Sequence, residues 1–129
     1  MTTESVNRNT LTLDDQRVSY LHAGEGSPIL LLHGTFWSHV WSPVIPKLGE
    51  SYEVFALDYP GFGRSEGRLE PEEAAAPALA GFVLRAADAL GVEGPFAVAG
   101  QDIGGAVAQH VVVHGEGRVS KLGLVNSVL

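Results

Sequence analysis

The stretch over residues 96–108, Phe-Ala-Val-Ala-Gly-Gln-Asp-Ile-Gly-Gly-Ala-Val-Ala, constrains this chain more than any other. Its first part, residues 96–99, is a short apolar run behind Pro95, the pattern of a strand buried on both faces of a parallel sheet. Its last part leads into a helix with Ile103, Val107, His110 and Val111 spaced along a buried face. Only Gly100-Gln101-Asp102-Ile103-Gly104-Gly105 lies between the two. A strand that passes so directly into a helix needs a tight turn, with the middle residue, Asp102, in a strained backbone conformation. Glycine two places before it and two places after it lets the chain close up. The turn sets Asp102 at the C-terminal end of a strand and the N-terminal end of a helix, where free amides and the helix dipole favour a carboxylate. Two readings of Asp102 follow: a nucleophilic carboxylate or a helix N-cap.

The rest of the chain supplies a sheet to carry this turn. Residues 10–13 and 17–23 alternate polar and apolar side chains across Asp14-Asp15-Gln16, which predicts a half-exposed antiparallel hairpin. Residues 29–32 are apolar on both faces and predict a central strand, and residues 52–58 predict the next. Between them a helix is expected over 38–48, burying Val40, Trp41, Val44 and Leu48, with Pro43 in its first turns. Pro71-Glu72-Glu73 is good chemistry for a helix start, although Pro77 offers a second one. Leu79, Phe82, Val83, Ala86 and Leu90 then form a helical stripe that Gly91 ends. Residues 121–126 predict a last buried strand. A hairpin followed by alternating strands and helices gives an α/β fold: a mostly parallel sheet, right-handed crossovers and helices on both faces.

Four features together resemble the α/β-hydrolase family. Gly100-x-Asp102-x-Gly104 is similar to its nucleophile elbow, with aspartate where most members carry serine. His33-Gly34 follows the third strand, and Asp58-Tyr59-Pro60-Gly61-Phe62-Gly63-Arg64-Ser65 follows the fourth. The spacing from there to the elbow holds one helix and one strand. The resemblance runs from about residue 10 to residue 129. It implies that residues 1–129 are the N-terminal part of a single α/β-hydrolase core domain, with the cap and the C-terminal part outside them.

In members with an elbow aspartate, chiefly epoxide hydrolases, haloalkane dehalogenases and fluoroacetate dehalogenases, the carboxylate attacks an electrophilic carbon. A histidine then activates a water that hydrolyses the alkyl-enzyme ester. Carried over by position, the resemblance makes Asp102 the nucleophile and the backbone N–H groups of Ile103 and of Thr35 or Phe36 the oxyanion hole. It implies a substrate pocket with Phe36, Trp37, Gln101 and Asn126. It gives His33, Gly34, Gly100, Gly104 and Gly105 the task of holding the motifs in shape, His33 by ordering its loop through hydrogen bonds. Two departures matter. Haloalkane dehalogenases usually carry tryptophan after the nucleophile, where its indole binds halide, and here Ile103 stands there. Epoxide hydrolases commonly show His-Gly-x-Pro, and here Phe36 replaces the proline. The reading that needs no such tryptophan is an epoxide hydrolase-like enzyme. A dehalogenase of the same fold is the alternative, and a lyase or cyclase relative is another.

Composition narrows the partners. A chain of 129 residues, 45% hydrophobic, is long enough for one domain with a real core. Its net charge of -7 and lack of a basic run make nucleic acid and anionic membranes poor partners. It has no cysteine, hence no disulfide and no thiol nucleophile. Met1-Thr2-Thr3-Glu4-Ser5 is polar and starts no signal peptide, and no apolar run approaches membrane-spanning length, so a cytoplasmic setting is expected. Gly61-Phe62-Gly63-Arg64-Ser65-Glu66 lacks the third glycine of a dinucleotide fingerprint. His110 and His114 have metal-ligand spacing without a glutamate after the first, and read as a core and surface pair on a packed helix. No cofactor and no metal are expected.

The resemblance also implies groups that residues 1–129 do not carry. The family's base histidine follows its eighth strand, and the acid that orients it follows the seventh or sixth. Only six strands are expected here. The expected partners are therefore a small-molecule substrate and a second polypeptide, or a cleaved half, that supplies the cap, the acid and the histidine. An inactive fragment acting as an interaction module is the competing reading.

Overall fold

In the computed structural model residues 6–127 are described; the polar segment 1–5 and residues 128–129 lie outside the described residues. Six strands form one sheet: β1 (Asn7–Leu13), β2 (Gln16–Ala23), β3 (Ser27–Leu32), β4 (Tyr52–Leu57), β5 (Phe96–Gln101) and β6 (Val119–Val125), in the order β1-β2-β4-β3-β5-β6. β4, β3, β5 and β6 run parallel, and β1 and β2 join antiparallel at one side. Asp14 and Asp15 make the two-residue hairpin turn, both at positive φ as a twist-matched turn requires.

Alternate residues of the inner strands feed two separate clusters, as a pleated strand dictates. Leu30, Leu32, Phe55 and Val98 meet Leu79, Val83, Val107 and Val111 from α2 (Ala76–Ala89) and α3 (Ile103–His114). Leu31, Val54 and Ala97 meet Trp41 and Ile45 from a 3₁₀ turn (Ser38–Trp41) and α1 (Ile45–Leu48) on the opposite face. Leu30, Leu31 and Leu32 are fully buried, each contributing about 1.5–3 kcal/mol of apolar transfer. Continuous apolar runs are what a sheet covered on both faces demands.

Several elements differ from expectation for identifiable reasons. The helix expected over 38–48 is two short pieces. Pro43 has no N–H, and its ring excludes an i,i+4 bond to His39. The chain closes instead with Ser42 N–H to His39 O and Val44 N–H to Trp41 O, both 3.0 Å. Val44 is consequently exposed, while Trp41 is buried. The acidic start at Pro71 makes only a 3₁₀ turn (Pro71–Ala74), and α2 begins at Ala76 with Pro77 in its first turn. β2 is buried from Val18 to Leu21 rather than half exposed, because Val18 and Tyr20 pack into the cluster on one face of the sheet and Leu21 into the cluster on the other. β6 is not buried. It pairs with β5 alone among the described residues, and Leu122, Leu124 and Val125 are exposed.

Candidate active site

β5 ends at Gln101 and α3 begins at Ile103, so Asp102 alone makes the turn. Its φ of 58° and ψ of -126° fall outside the regions that residues with side chains ordinarily occupy. Such strain costs about 1–3 kcal/mol and persists only where the surroundings enforce it. Here the enforcement is close packing. A Cβ on Gly100 would run into the Gly104 carbonyl, one on Gly104 into the Leu32 and His33 carbonyls, and one on Gly105 into Ser127. The first turn of α3 therefore sits directly on the ends of β3 and β5. Asp102 N–H donates to Val125 O at 3.2 Å, and Gly105 N–H to Asp102 O at 3.0 Å. Ile103, expected in the core, is 42% exposed, because as the first helical residue it projects beyond the sheet's end.

The Asp102 carboxylate makes no capping hydrogen bond to α3. It lies against the loop after β3 instead: an ideal Cβ on Gly34 would be 2.6 Å from its Oδ2. Only glycine at position 34 leaves the carboxylate that space. Thr35 and Phe36 follow in the same loop and are exposed. Their N–H groups, and that of Ile103, donate to no backbone carbonyl among the described residues. For Ile103 this is the ordinary state of a first-turn amide.

His33 holds this loop from below. It is buried, its Nδ1 lies 2.9 Å from Gly34 O, and its Nε2 accepts the Tyr59 N–H at 3.2 Å. An acceptor at Nε2 assigns the ring proton to Nδ1, which donates to Gly34. Burial pushes the imidazole below its ordinary value of 6.5, outweighing the Gly34 carbonyl and Asp58, which act the other way. A neutral histidine with both nitrogens engaged links the Gly34 carbonyl to the Tyr59 N–H.

A second device escaped the sequence reading. Asp58 is fully buried at the end of β4, and Arg8 reaches it from β1, with Nη1 3.0 Å from Oδ2. Asp58 Oδ1 accepts the Ser38 N–H at 2.7 Å, and Oδ2 accepts the Arg64 N–H at 3.3 Å. Arg8 also donates to Ser19 Oγ at 2.6 Å and Ser38 Oγ at 3.2 Å, and lies 5.0 Å from the Trp37 ring centre. One carboxylate thus ties together β1, the loop after β3 and the loop after β4. The available signal was an acid closing an apolar strand and a lone arginine in the polar run before Thr10. Nothing local joins residues 50 positions apart.

Phe36 and Trp37 line a hollow of about 350 Å³ with Gly63 and Arg64. Gln101, half-buried at the end of β5, and Asn126, exposed just after β6, lie outside that lining. A larger hollow of about 570 Å³ lies between the β1–β2 turn and α2 and contains none of the expected site residues.

Comparison with known proteins agrees with this geometry. Residues 27–129 match the family described as the α/β hydrolase fold. The chain belongs to the α/β-hydrolase family. It is 37% identical over 119 residues to a dihydrolipoyllysine-residue acetyltransferase component of an acetoin cleaving system from Cupriavidus necator, covering 90% of this chain and 31% of that protein. It is 35% identical over 115 residues to haloalkane dehalogenase 2 from Mycobacterium tuberculosis, covering 86% and 38%. The solved structure of epoxide hydrolase CorEH superposes with a TM-score of 0.88 at 29% identity, covering 96% of this chain and 43% of that one. The chain thus spans about a third to two-fifths of the length of these relatives. Their names differ in chemistry, so family membership carries the fold and leaves the reaction to the site.

In this α/β-hydrolase the remaining histidines are engaged away from Asp102. His22 pairs with Glu53 at 2.9 Å, and His39 stacks on Trp37 and contacts Ser42. His110 and His114 stack on each other with ring centres 5.7 Å apart; His114 is exposed as a surface residue, while His110 is half-buried rather than in the core, and its Nδ1 has no hydrogen-bond partner among the described residues. His110 is eight residues beyond Asp102, about 12 Å along the helix axis. No helix among the described residues is long and apolar enough to cross a membrane.

Proposed function

We propose that Asp102 is the nucleophile of an epoxide hydrolase-like enzyme acting on a small-molecule substrate. The observation that carries this reading is the elbow: a strained aspartate whose carboxylate leaves α3 uncapped and lies against Gly34. A carboxylate oxygen of Asp102 attacks an epoxide carbon, the ring C–O bond breaks, and the released alkoxide takes a proton from a donor outside residues 1–129. The product of this step is an alkyl-enzyme ester. A water deprotonated by a histidine then attacks the ester carbonyl carbon. The oxyanion that forms is received by the amides of Ile103 and of Thr35 or Phe36, each such donor stabilising it by about 3 kcal/mol. Collapse of this intermediate expels the diol and restores the carboxylate. Ile103 offers no side-chain donor to a leaving halide, which favours epoxides over chloroalkanes. The 35% identity to haloalkane dehalogenase 2 keeps dehalogenation as the second reading.

We further propose that the base histidine, its acid and the cap come from polypeptide outside residues 1–129. Two observations support this: the engagement of the described histidines elsewhere, and the exposed leucines of β6. In the complete protein, Asp102→Ala should abolish turnover of any epoxide or alkyl halide while circular dichroism reports an intact fold. Asp102→Asn should start equally inactive and recover only through deamidation. Full activity in the alanine variant overturns the assignment, and dominant halide release across a substrate panel moves it to the dehalogenase.

A further inference from the structure

We infer that the hollow between the loops after β3 and β4 is a subsite for an anionic group on the substrate, a carboxylate carried on an aromatic body. The inference rests on the Asp102 reading for the position of the reacting carbon. Arg64 supplies the cation. The other five arginines each lie within ion-pair distance of a carboxylate. Arg64 faces none among the described residues, in a chain whose net charge is -7. Asp58 does not neutralise it, because that carboxylate is buried and already paired with Arg8.

The position of Arg64 is fixed by its backbone. Its N–H is held on Asp58 Oδ2, and Gly63 before it has a φ of 54° with no room for a Cβ against the Asp58 carboxylate. The Ser65 hydroxyl after it donates to Asp58 O at 2.8 Å. The backbone thus sets the foot of the Arg64 side chain at the rim of the hollow, and its exposed guanidinium turns toward a ligand from there. Phe36, 69% exposed, and Trp37 line the same hollow. The Trp37 ring is itself steadied by the Arg8 guanidinium and by His39, whose ring centre is 5.5 Å away. Flat apolar rings beside a forked cation suit an aromatic carboxylate, which guanidinium binds in a bidentate manner. The hollow, about 350 Å³, is shallow and open to solvent, so it holds one end of a substrate rather than the whole of it.

The distance fits as well. Phe36 is two residues beyond Gly34, so their backbones are at most about 7 Å apart. Gly34 abuts the Asp102 carboxylate. Phe36 at the hollow and Gly34 against the carboxylate therefore belong to one short loop.

The test uses the complete protein and two epoxides, phenyloxirane and its para-carboxylate. Arg64→Gln should lower the ratio of kcat/KM for the charged over the neutral epoxide by about tenfold or more, through KM. Arg64→Lys should keep part of it. The ratio is internal to each variant, so a general loss of folded protein does not mimic the effect. A ratio unchanged by Arg64→Gln overturns the subsite. Should the parent protein turn over neither epoxide, the epoxide reading fails and binding alone judges the subsite. Titration by NMR should then show phenylacetate binding about tenfold more tightly than phenylacetamide, with the difference lost in Arg64→Gln. Equal binding of the two overturns it.

Discussion

Arg8→Met removes the counter-charge of Asp58 while keeping a side chain of comparable reach. The Asp58 side chain is 0% exposed and the Arg8 side chain 25%. Breaking a buried pair by removing one partner costs about 3–5 kcal/mol, because the other charge stays buried and uncompensated. Water reaches a quarter of Arg8, which screens the pair and places the loss at the low end, about 3 kcal/mol. The bonds to Ser19 and Ser38 go with it. Against a domain stability of about 5–15 kcal/mol this is a large fraction, equivalent to roughly 10 °C in Tm for a chain of this size. Urea unfolding followed by circular dichroism, on the parent, Arg8→Met, Asp58→Asn and the double variant, closes a cycle. The double variant should be more stable than Arg8→Met alone, because the neutral amide introduced by Asp58→Asn still accepts the Ser38 N–H without burying a charge. A loss below about 1 kcal/mol for Arg8→Met, or a double variant no better than the single, refutes the reasoning.

Two further outcomes follow from the same loops. Gly34→Ala places a methyl 2.6 Å from Asp102 Oδ2, so turnover should fall about 100-fold or more with a much smaller change in melting temperature; near-parental activity would mean the carboxylate does not rest on Gly34. His33 is neutral in the fold because burial lowers its pKa, so below its unfolded value of 6.5 the unfolded chain takes up the proton first. The stability it supports is present above that pH and is lost as pH falls toward the folded value, by at most about 1.4 kcal/mol per pH unit. Urea midpoints for the parent and His33→Gln at about pH 7.5 and about pH 5.5 should differ in slope; equal slopes would show that His33 is not the group responsible.

Particular residues show why some of this was legible in the chain and some was not. β3, β4 and β5 announce themselves because a strand covered on both faces must be apolar at every position, and Leu30, Leu31 and Leu32 have no other use. The elbow is legible because its close packing forbids any side chain at Gly100 and Gly104. Ile103 misled because periodicity places a residue on a helix face without saying where the sheet beneath it ends. The 38–48 segment misled because the cost of Pro43 depends on whether a helix has already started before it. The Arg8–Asp58 tie was out of reach, since it joins two loops and an outer strand through partners far apart in sequence. Arg64 likewise gained meaning only when the partners of every other arginine were known.

In the proposed reaction Asp102 bonds covalently to the substrate. Single-turnover reaction of excess complete protein with phenyloxirane in ¹⁸O-water tests it most directly. The oxygen added to the diol comes from the Asp102 carboxylate in the first turnover, and the attacking water leaves its oxygen on Asp102. The first-turnover diol should therefore be unlabelled, with one heavy oxygen in the peptide that contains Asp102. A labelled diol with no label on Asp102 would mean that water attacks the epoxide directly and that Asp102 is not the nucleophile.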